Sequence, residues 1–405
     1  MSLLKKISTI IELKNIKLFF LSVSIFSLLI LLPACSDTPS DIGEDLLAKD
    51  DLQVVNIDSF NDTLKQFSSS YKTPIKLGLA DVIILGKQSR LQSNFAIKFA
   101  INLSETIKLK MDSLIIVSNE IIFKPVYRFG DTAATFDFTA HKILNVWDPL
   151  TLNSNDMEQI QFANNNSITS RSISDTLVKV SLDNNLVREW FQFAKDSNTF
   201  NTNGVMLRPS LNTGRFVGFR ASTLQFDDAP YLRVITKIGP TGTNDTLNFI
   251  VNADIHFVDG DVNTTDKTIL TTQSGIAVHS NLWFDISSIP KTAIVNNAFI
   301  TLTIDTLRTR VGNTFANSLI VYLSTDSTTN ARDGNYYTVL SRENNTFKGD
   351  ISFMVNRWIK DGTNNGLILM NLDENVGLES FQIFGSGNVN AALRPRLNII
   401  YSQKK

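Results

Sequence analysis

The chain has 405 residues, 43% of them hydrophobic and 19% charged, so it is globular, long enough for two ordinary domains, and neither disordered nor collagenous. Lys and Arg total 38 against 39 for Asp and Glu, which leaves no basic surplus to hold a phosphate backbone, and nucleic acid is not an expected partner. One cysteine excludes an internal disulfide framework and a cysteine-rich zinc module; three histidines leave little for triad chemistry, so no metal centre and no cofactor is expected.

Residues 1 to 17 carry Lys5, Lys6, Lys14 and Lys17 against Glu12 alone, and Leu18 to Leu32 is almost wholly apolar, which is the layout of a signal peptide over residues 1–34. The apolar run of about fifteen residues is shorter than the roughly 20 that a bilayer-spanning helix needs. It closes on Leu32-Pro33-Ala34-Cys35, which resembles the lipobox of bacterial lipoproteins. The resemblance implies acylation of Cys35 and cleavage in front of it, and it explains an unpaired cysteine in an exported chain. Losing residues 1–34 takes the formal charge from −1 to about −4. Residues 35–51, rich in acids and containing Pro39 and Gly43, are expected to form a tether. Acids so soon after the cysteine resemble the surface-export signal of Bacteroidetes lipoproteins, although Asp37 is followed by Thr38 and Pro39. The expected address is the outer membrane, with the chain lipid-anchored at its N-terminus and facing the cell exterior.

Beyond the tether the chain repeats itself. Ser93-Asn94-Phe95-Ala96-Ile97-Lys98-Phe99 recurs as Ser280-Asn281-Leu282-Trp283-Phe284-Asp285-Ile286. Val187-Arg188-Glu189-Trp190, Asn203-Gly204-Val205-Met206-Leu207 and Pro230-Tyr231-Leu232-Arg233 are followed in the same order by Val355-Asn356-Arg357-Trp358, Asn365-Gly366-Leu367-Ile368-Leu369 and Pro395-Arg396-Leu397-Asn398. Two domains of similar fold are expected at residues 52–236 and 247–402, with residues 237–246, which contain two Gly and a Pro, as linker. Segments such as Phe95 to Ile101, Val205 to Leu207 and Phe299 to Ile304 are short, β-branched or aromatic, and bounded by Asn, Asp, Ser and Gly, which predicts strands. Helical periodicity is confined to Asn184 to Ala194 and Ile351 to Lys360, each close to a Trp. The fold class is therefore all-β: two tandem jelly-roll β-sandwich domains after a lipoprotein signal peptide.

The order Phe284-Asp285-Ile286, Ser287-Ser288-Ile289-Pro290, Val-x-x-Trp, Asn-Gly-Leu-Ile-Leu, Pro and a final strand resembles the DNRLRE-type domain of bacterial surface proteins, which implies a jelly roll similar to carbohydrate-binding modules. The first repeat departs from it, with Lys98 in place of Asp285 and Leu103-Ser104-Glu105 in place of Ser288-Ile289-Pro290. The lipobox, then Asp41-Ile42-Gly43-Glu44-Asp45-Leu46-Leu47, then this sandwich, is also similar to the Bacteroidetes lipoproteins grouped as DUF4270. That family implies a fold and an address but no chemistry.

No catalytic set stands out. Glu105, Glu120, Glu189 and Glu343 lie in unrelated segments and suggest no carboxylate pair of the glycosidase kind. His141, His256 and His279 are isolated and read as satisfied strand or turn residues. Asp259-Gly260-Asp261-Val262-Asn263 begins like a calcium loop, but Thr264 and Leu270 stand where an EF-hand needs Gly and Glu, which excludes an EF-hand and leaves a looser calcium site as the alternative to a plain turn. Trp190 and Trp358 keep register in both repeats and read as core. Trp147, Tyr336 and Tyr337 lie in loop-rich stretches and are the candidate glycan contacts, since an exposed ring stacks on the apolar face of a sugar. The expected function is binding or adhesion without catalysis, the partner being an envelope or extracellular protein; a glycan is the alternative and glycoside chemistry a weaker one. Six Asp-Ser/Thr-aliphatic triplets, where composition gives roughly two by chance, match the Bacteroidetes O-glycosylation pattern, with Thr246, Thr63 and Thr176 as the leading acceptors.

Overall fold

Alternating apolar and polar residues bounded by Asn, Asp, Ser and Gly leave most of this chain one way to bury its apolar side chains: as strands with one face turned inward. The computed structural model describes residues 52–62, 64–196, 202–222 and 228–405. Cys35, the tether and Thr63 lie outside the described residues.

In chain order, β1 is Leu52–Asp58 and β2 is Gln66–Lys72. The next group is β3 (Val82–Gln88), β4 (Leu91–Phe99), α1 (Glu105–Leu109), β5 (Leu114–Phe123), β6 (Pro125–Gly130), β7 (Phe138–Lys142), β8 (Ile168–Ile173) and β9 (Val178–Leu182). It continues through α2 (Asn184–Asp196), β10 (Val205–Pro209), β11 (Arg215–Arg220), β12 (Tyr231–Ile238) and β13 (Asp245–Asp259). The last group is β14 (Ile269–Gln273), β15 (Val278–Phe284), β16 (Ile294–Thr303), β17 (Ser318–Asp326), β18 (Ala331–Glu343), β19 (Thr346–Asp350), α3 (Ser352–Asp361), β20 (Leu367–Asn371), β21 (Ser380–Phe384) and β22 (Arg396–Lys404). Both helices expected from periodicity form within two residues of the expected bounds. Their apolar faces bury Trp190 and Trp358, which are 5% and 3% exposed, so both tryptophans are core residues.

The all-β architecture with two jelly-roll-like sandwich lobes follows the expectation. Each lobe is one curled antiparallel sheet of eleven strands. In the first the order is β6-β11-β3-β4-β13-β12-β5-β9-β8, with β10 pairing β4 and β7. In the second it is β1-β22-β16-β19-β18-β17-β20-β15-β14-β21, with β2 pairing β15. The repeat is structural. Gly204 and Gly366 occupy the same place in the two lobes, ahead of β10 and β20, with φ of +79° and +84°. A Cβ on either would meet a carbonyl oxygen of the adjacent strand, Ile97 at 1.9 Å or Leu282 at 2.7 Å, so each site demands glycine twice over.

The domain boundaries differ from the expected ones. Residues 52–72 belong to the second lobe, where β1 pairs β22 and β2 pairs β15 along its whole length. Residues 245–259 belong to the first lobe, where β13 pairs β12 and β4. The expected linker at 237–246 is a β-hairpin turn, with Thr236 opposite Asp245. The two lobes therefore exchange segments, and residues 54–403 form one compact unit.

β13 shows how one strand serves two cores. Phe249 and Val251 face the first-lobe core, which also holds Phe95, Phe123, Phe191 and Trp190. A register shift between Val251 and Ala253 then flips the side-chain parity, so Ala253, Ile255 and Phe257 enter a third apolar cluster. That cluster also takes Tyr127 and Phe216 from the first lobe and Ile276, Val278 and Leu378 from the second, and it is the seam between them. Buried polar contacts lock it: the Tyr127 hydroxyl donates to Glu379 Oε1 at 2.8 Å and accepts from Leu378 N–H at 2.9 Å.

Candidate functional site

The strand exchange places β2 beside β15 and, with it, Phe67 directly opposite Trp283. Leu282 and Phe284 of β15 point into the second-lobe core, so Trp283 between them faces outward and is half-buried. Phe67 is 46% exposed and carries the Lys267 ammonium 5.5 Å from its ring centroid. An exposed Phe67 and a half-buried Trp283, cross-strand neighbours on the outer face, offer an apolar platform. Next to it opens a cavity of about 300 Å³, lined by Trp283, Asp285, Ser287, Lys291, Trp358 and Asn364 among others.

The polar groups of this cavity are held in place. Trp283 Nε1 donates to the Asn364 carbonyl at 3.1 Å, and Asn364 is pinned in turn by Nδ2 donating to the Phe284 carbonyl at 2.8 Å. Asp285 accepts from Ser287 N–H at 3.1 Å, and its hydrogen bonds with Ser287 hold its carboxyl below the usual carboxylate range. It is thus an ionised acceptor near neutral pH. Lys291 Nζ lies over Gly362, the left-handed residue that ends α3. Apolar walls with one anionic acceptor, one ammonium donor and one rigid backbone segment are the makings of a site for a small polyhydroxylated ligand.

The first lobe treats the equivalent place differently. Ala96 stands where the second lobe has Trp283, and the face it occupies is buried in the seam. There the indole that bonds the segment ahead of β10 comes from a loop: Trp147 Nε1 donates to the Asn203 carbonyl at 2.8 Å. Lys98, the counterpart of Asp285, donates to the Trp147 carbonyl at 2.9 Å and lies 4.7 Å from its ring centroid. Burial lowers the Lys98 pKa.

Trp147 is 5% exposed and is therefore a core residue, not the open ring expected of a glycan contact. A loop tryptophan gives no sequence signal for what it packs against. Tyr336 and Tyr337 sit on opposite faces of β18 in the other lobe, so the structure does not join them to Trp147. Tyr336 is half-buried under the Arg357 guanidinium, 4.0 Å from its ring centroid, while Tyr337 is 50% exposed beside Tyr322. Sequence reasoning missed Phe67 and Trp283. The available signal was the mismatch of Trp283 with Ala96, because two otherwise matched repeats that differ by an indole differ in surface.

Glu105, Glu120, Glu189 and Glu343 each form an ion pair, with Lys108, Lys179, Lys142 and Lys348 respectively. In the loop that begins like a calcium site, Asp259 lies 3.9 Å from Lys72 and Asp261 2.9 Å from Arg90. His141 bonds Thr139 Oγ1 and the Ala163 carbonyl, and His279 Nε2 meets Glu374 Oε2 at 2.6 Å, as satisfied histidines should. His256 is an exception: it is fully buried and both ring nitrogens lack a partner. Among the described residues no three His, Cys, Asp or Glu side chains converge as a metal centre, and no helix is long and apolar enough to cross a membrane. Thr176 is exposed in the turn between β8 and β9; Thr246 is exposed too, but on strand β13 and not on a free linker.

No family model matches this chain, and no curated protein matches it. Among solved structures it was aligned with the infectious bursal disease virus VP2 subviral particle, at 10% identity over 84% of this chain and 77% of the other, with a TM-score of 0.12. The Macrobrachium rosenbergii nodavirus aligns at 11% identity over 92% and 94%, with a TM-score of 0.09. Likeness at that level says nothing about the fold or function of this chain.

Proposed function

We propose that this chain is a lipid-anchored outer-membrane protein, facing the cell exterior, that captures glycans without catalysis. The observation that carries the reading is the Phe67–Trp283 platform beside the cavity of about 300 Å³ that holds Asp285 and Lys291. A pyranose offers an apolar face to stack on such rings and a rim of hydroxyls that can donate to Asp285 and accept from Lys291. The address rests on the apolar N-terminal run and Cys35, with the resemblance to DUF4270-type lipoproteins in support.

A second reading, capture of an envelope or extracellular protein, is favoured by a cleft of about 730 Å³ lined by Met157, Phe162 and Phe257, with Lys72 and Asp259 also lining it. A glycan array probed with the chain from residue 36 onward separates the two. Glycan capture predicts hits that disappear with Trp283→Ala; an empty array, with a protein recovered from outer-membrane extracts in a form competed by Phe162→Ala loss, favours the cleft.

A further inference from the structure

We propose that the seam-facing end of the second lobe holds a calcium-type divalent cation between Asn371, Asp373 and Glu379. Asn371 ends β20, Glu379 precedes β21, and the turn between them carries Asp373, so all three come from one connection. They line a common cavity of about 240 Å³, to which Ser274 and Thr314 add hydroxyls.

The cavity sets these polar groups among Phe315, Ala316, Val376 and Phe381. Asn371 is 4% exposed and commits its amide hydrogens to Ser274 Oγ at 2.9 Å and the Glu379 carbonyl at 2.8 Å. Its Oδ1 is buried with no donor to receive. Glu379 is 5% exposed and anchored by the Tyr127 hydroxyl. Among the described residues neither Glu379 nor Asp373 has an ion-pair partner, whereas the neighbouring Glu374 is hydrogen-bonded to His279. Two carboxylates and an amide oxygen are all acceptors: Asp373 is exposed, Glu379 already receives the Tyr127 hydroxyl, and the Asn371 oxygen is the buried one left empty, at a cost of about 1–3 kcal/mol. A hard cation that takes six to eight oxygens satisfies all three together. The all-oxygen donor set suits calcium better than zinc, whose sites are built mostly on His nitrogen and Cys sulfur.

The site lies where the lobes meet, since Tyr127 of β6 holds Glu379 from the other side. A bound cation therefore fixes the Asn371–Glu379 connection and, through Tyr127, stiffens the seam. This is independent of the glycan reading and uses no residue of that site.

The test uses the chain from residue 36 onward, stripped with a chelator. Added CaCl₂ is expected to raise the melting temperature by several degrees, MgCl₂ by much less, and TbCl₃ to give saturable luminescence on tyrosine excitation, with Tyr127 as the near donor. Asp373→Asn keeps the shape of the turn and removes one charge. It is expected to fold with an unchanged melting temperature in chelator and to weaken terbium binding at least tenfold. Absence of both the calcium shift and the terbium signal in the unmodified chain overturns the proposal, and so does a terbium signal that survives Asp373→Asn at full affinity.

Discussion

Replacing His256 by Leu should stabilise the protein, and do so more strongly in acid. His256 lies on β13 opposite Phe95, fully buried, with no hydrogen-bond partner at either ring nitrogen. A polar group withheld from water without compensation costs about 1–3 kcal/mol, and Leu is close to His in volume. Burial also lowers the His256 pKa from 6.5 to about 3. The folded-state value is below the unfolded one, so between those limits the unfolded chain takes up a proton that the native chain refuses. The native state is therefore penalised increasingly as pH falls below 6.5. At pH 5 the difference is about 1.5 pH units, or about 2 kcal/mol; at pH 7.5 it is close to nil. Asp254, two residues away on the same face, acts in the opposite sense. Burial raises its pKa to about 6, so its penalty is present above that pH and fades as pH falls towards 3.8. It is common to both proteins and cancels in the comparison. Equilibrium unfolding in guanidinium chloride at pH 7.5 and 5 should show the variant ahead at both, with the gap wider by about 2 kcal/mol at pH 5. A gap that does not change with pH would refute the sealed, unpartnered imidazole.

A fragment beginning at residue 247 should fail to fold cooperatively, because it loses β1, β2 and the partners of β13; a cooperative melt with strand-type circular dichroism would contradict the exchange. Trp190→Ala and Trp358→Ala should each cost about 3–5 kcal/mol in denaturant unfolding, and losses under about 1 kcal/mol in both would make them surface residues. Cys35→Ser should leave an uncleaved or soluble precursor, and unchanged detergent partitioning would sink the lipid anchor.

Strand content, the repeat and both long helices were legible because each is local: alternation marks strands, and a period of 3.6 marks the face that buries Trp190 and Trp358. Strand partners were not. Gln66 to Lys72 reads as a strand wherever it pairs, and nothing within QFSSSYK says that its neighbour is β15, over two hundred residues on. The same blindness misplaced the linker, since Gly239 and Gly242 serve a tight hairpin as well as a flexible joint. The candidate site was hidden for this reason above all. Phe67 and Trp283 are unremarkable apart and become a platform only through the exchange. Trp147 failed in the opposite direction, because its loop folds back so that its indole reaches the Asn203 carbonyl.

Isothermal titration of the best array glycan into the chain from residue 36 onward, alongside Trp283→Ala and Phe67→Ala, tests the central claim most directly. Phe67 is exposed and Trp283 half-buried on the outer face, and neither belongs to the second-lobe core, so both variants should fold and melt within a few degrees of the parent. The account predicts at least tenfold weaker binding for Trp283→Ala and a clear loss for Phe67→Ala. Parental affinity in both variants, with the glycan still bound, would contradict it.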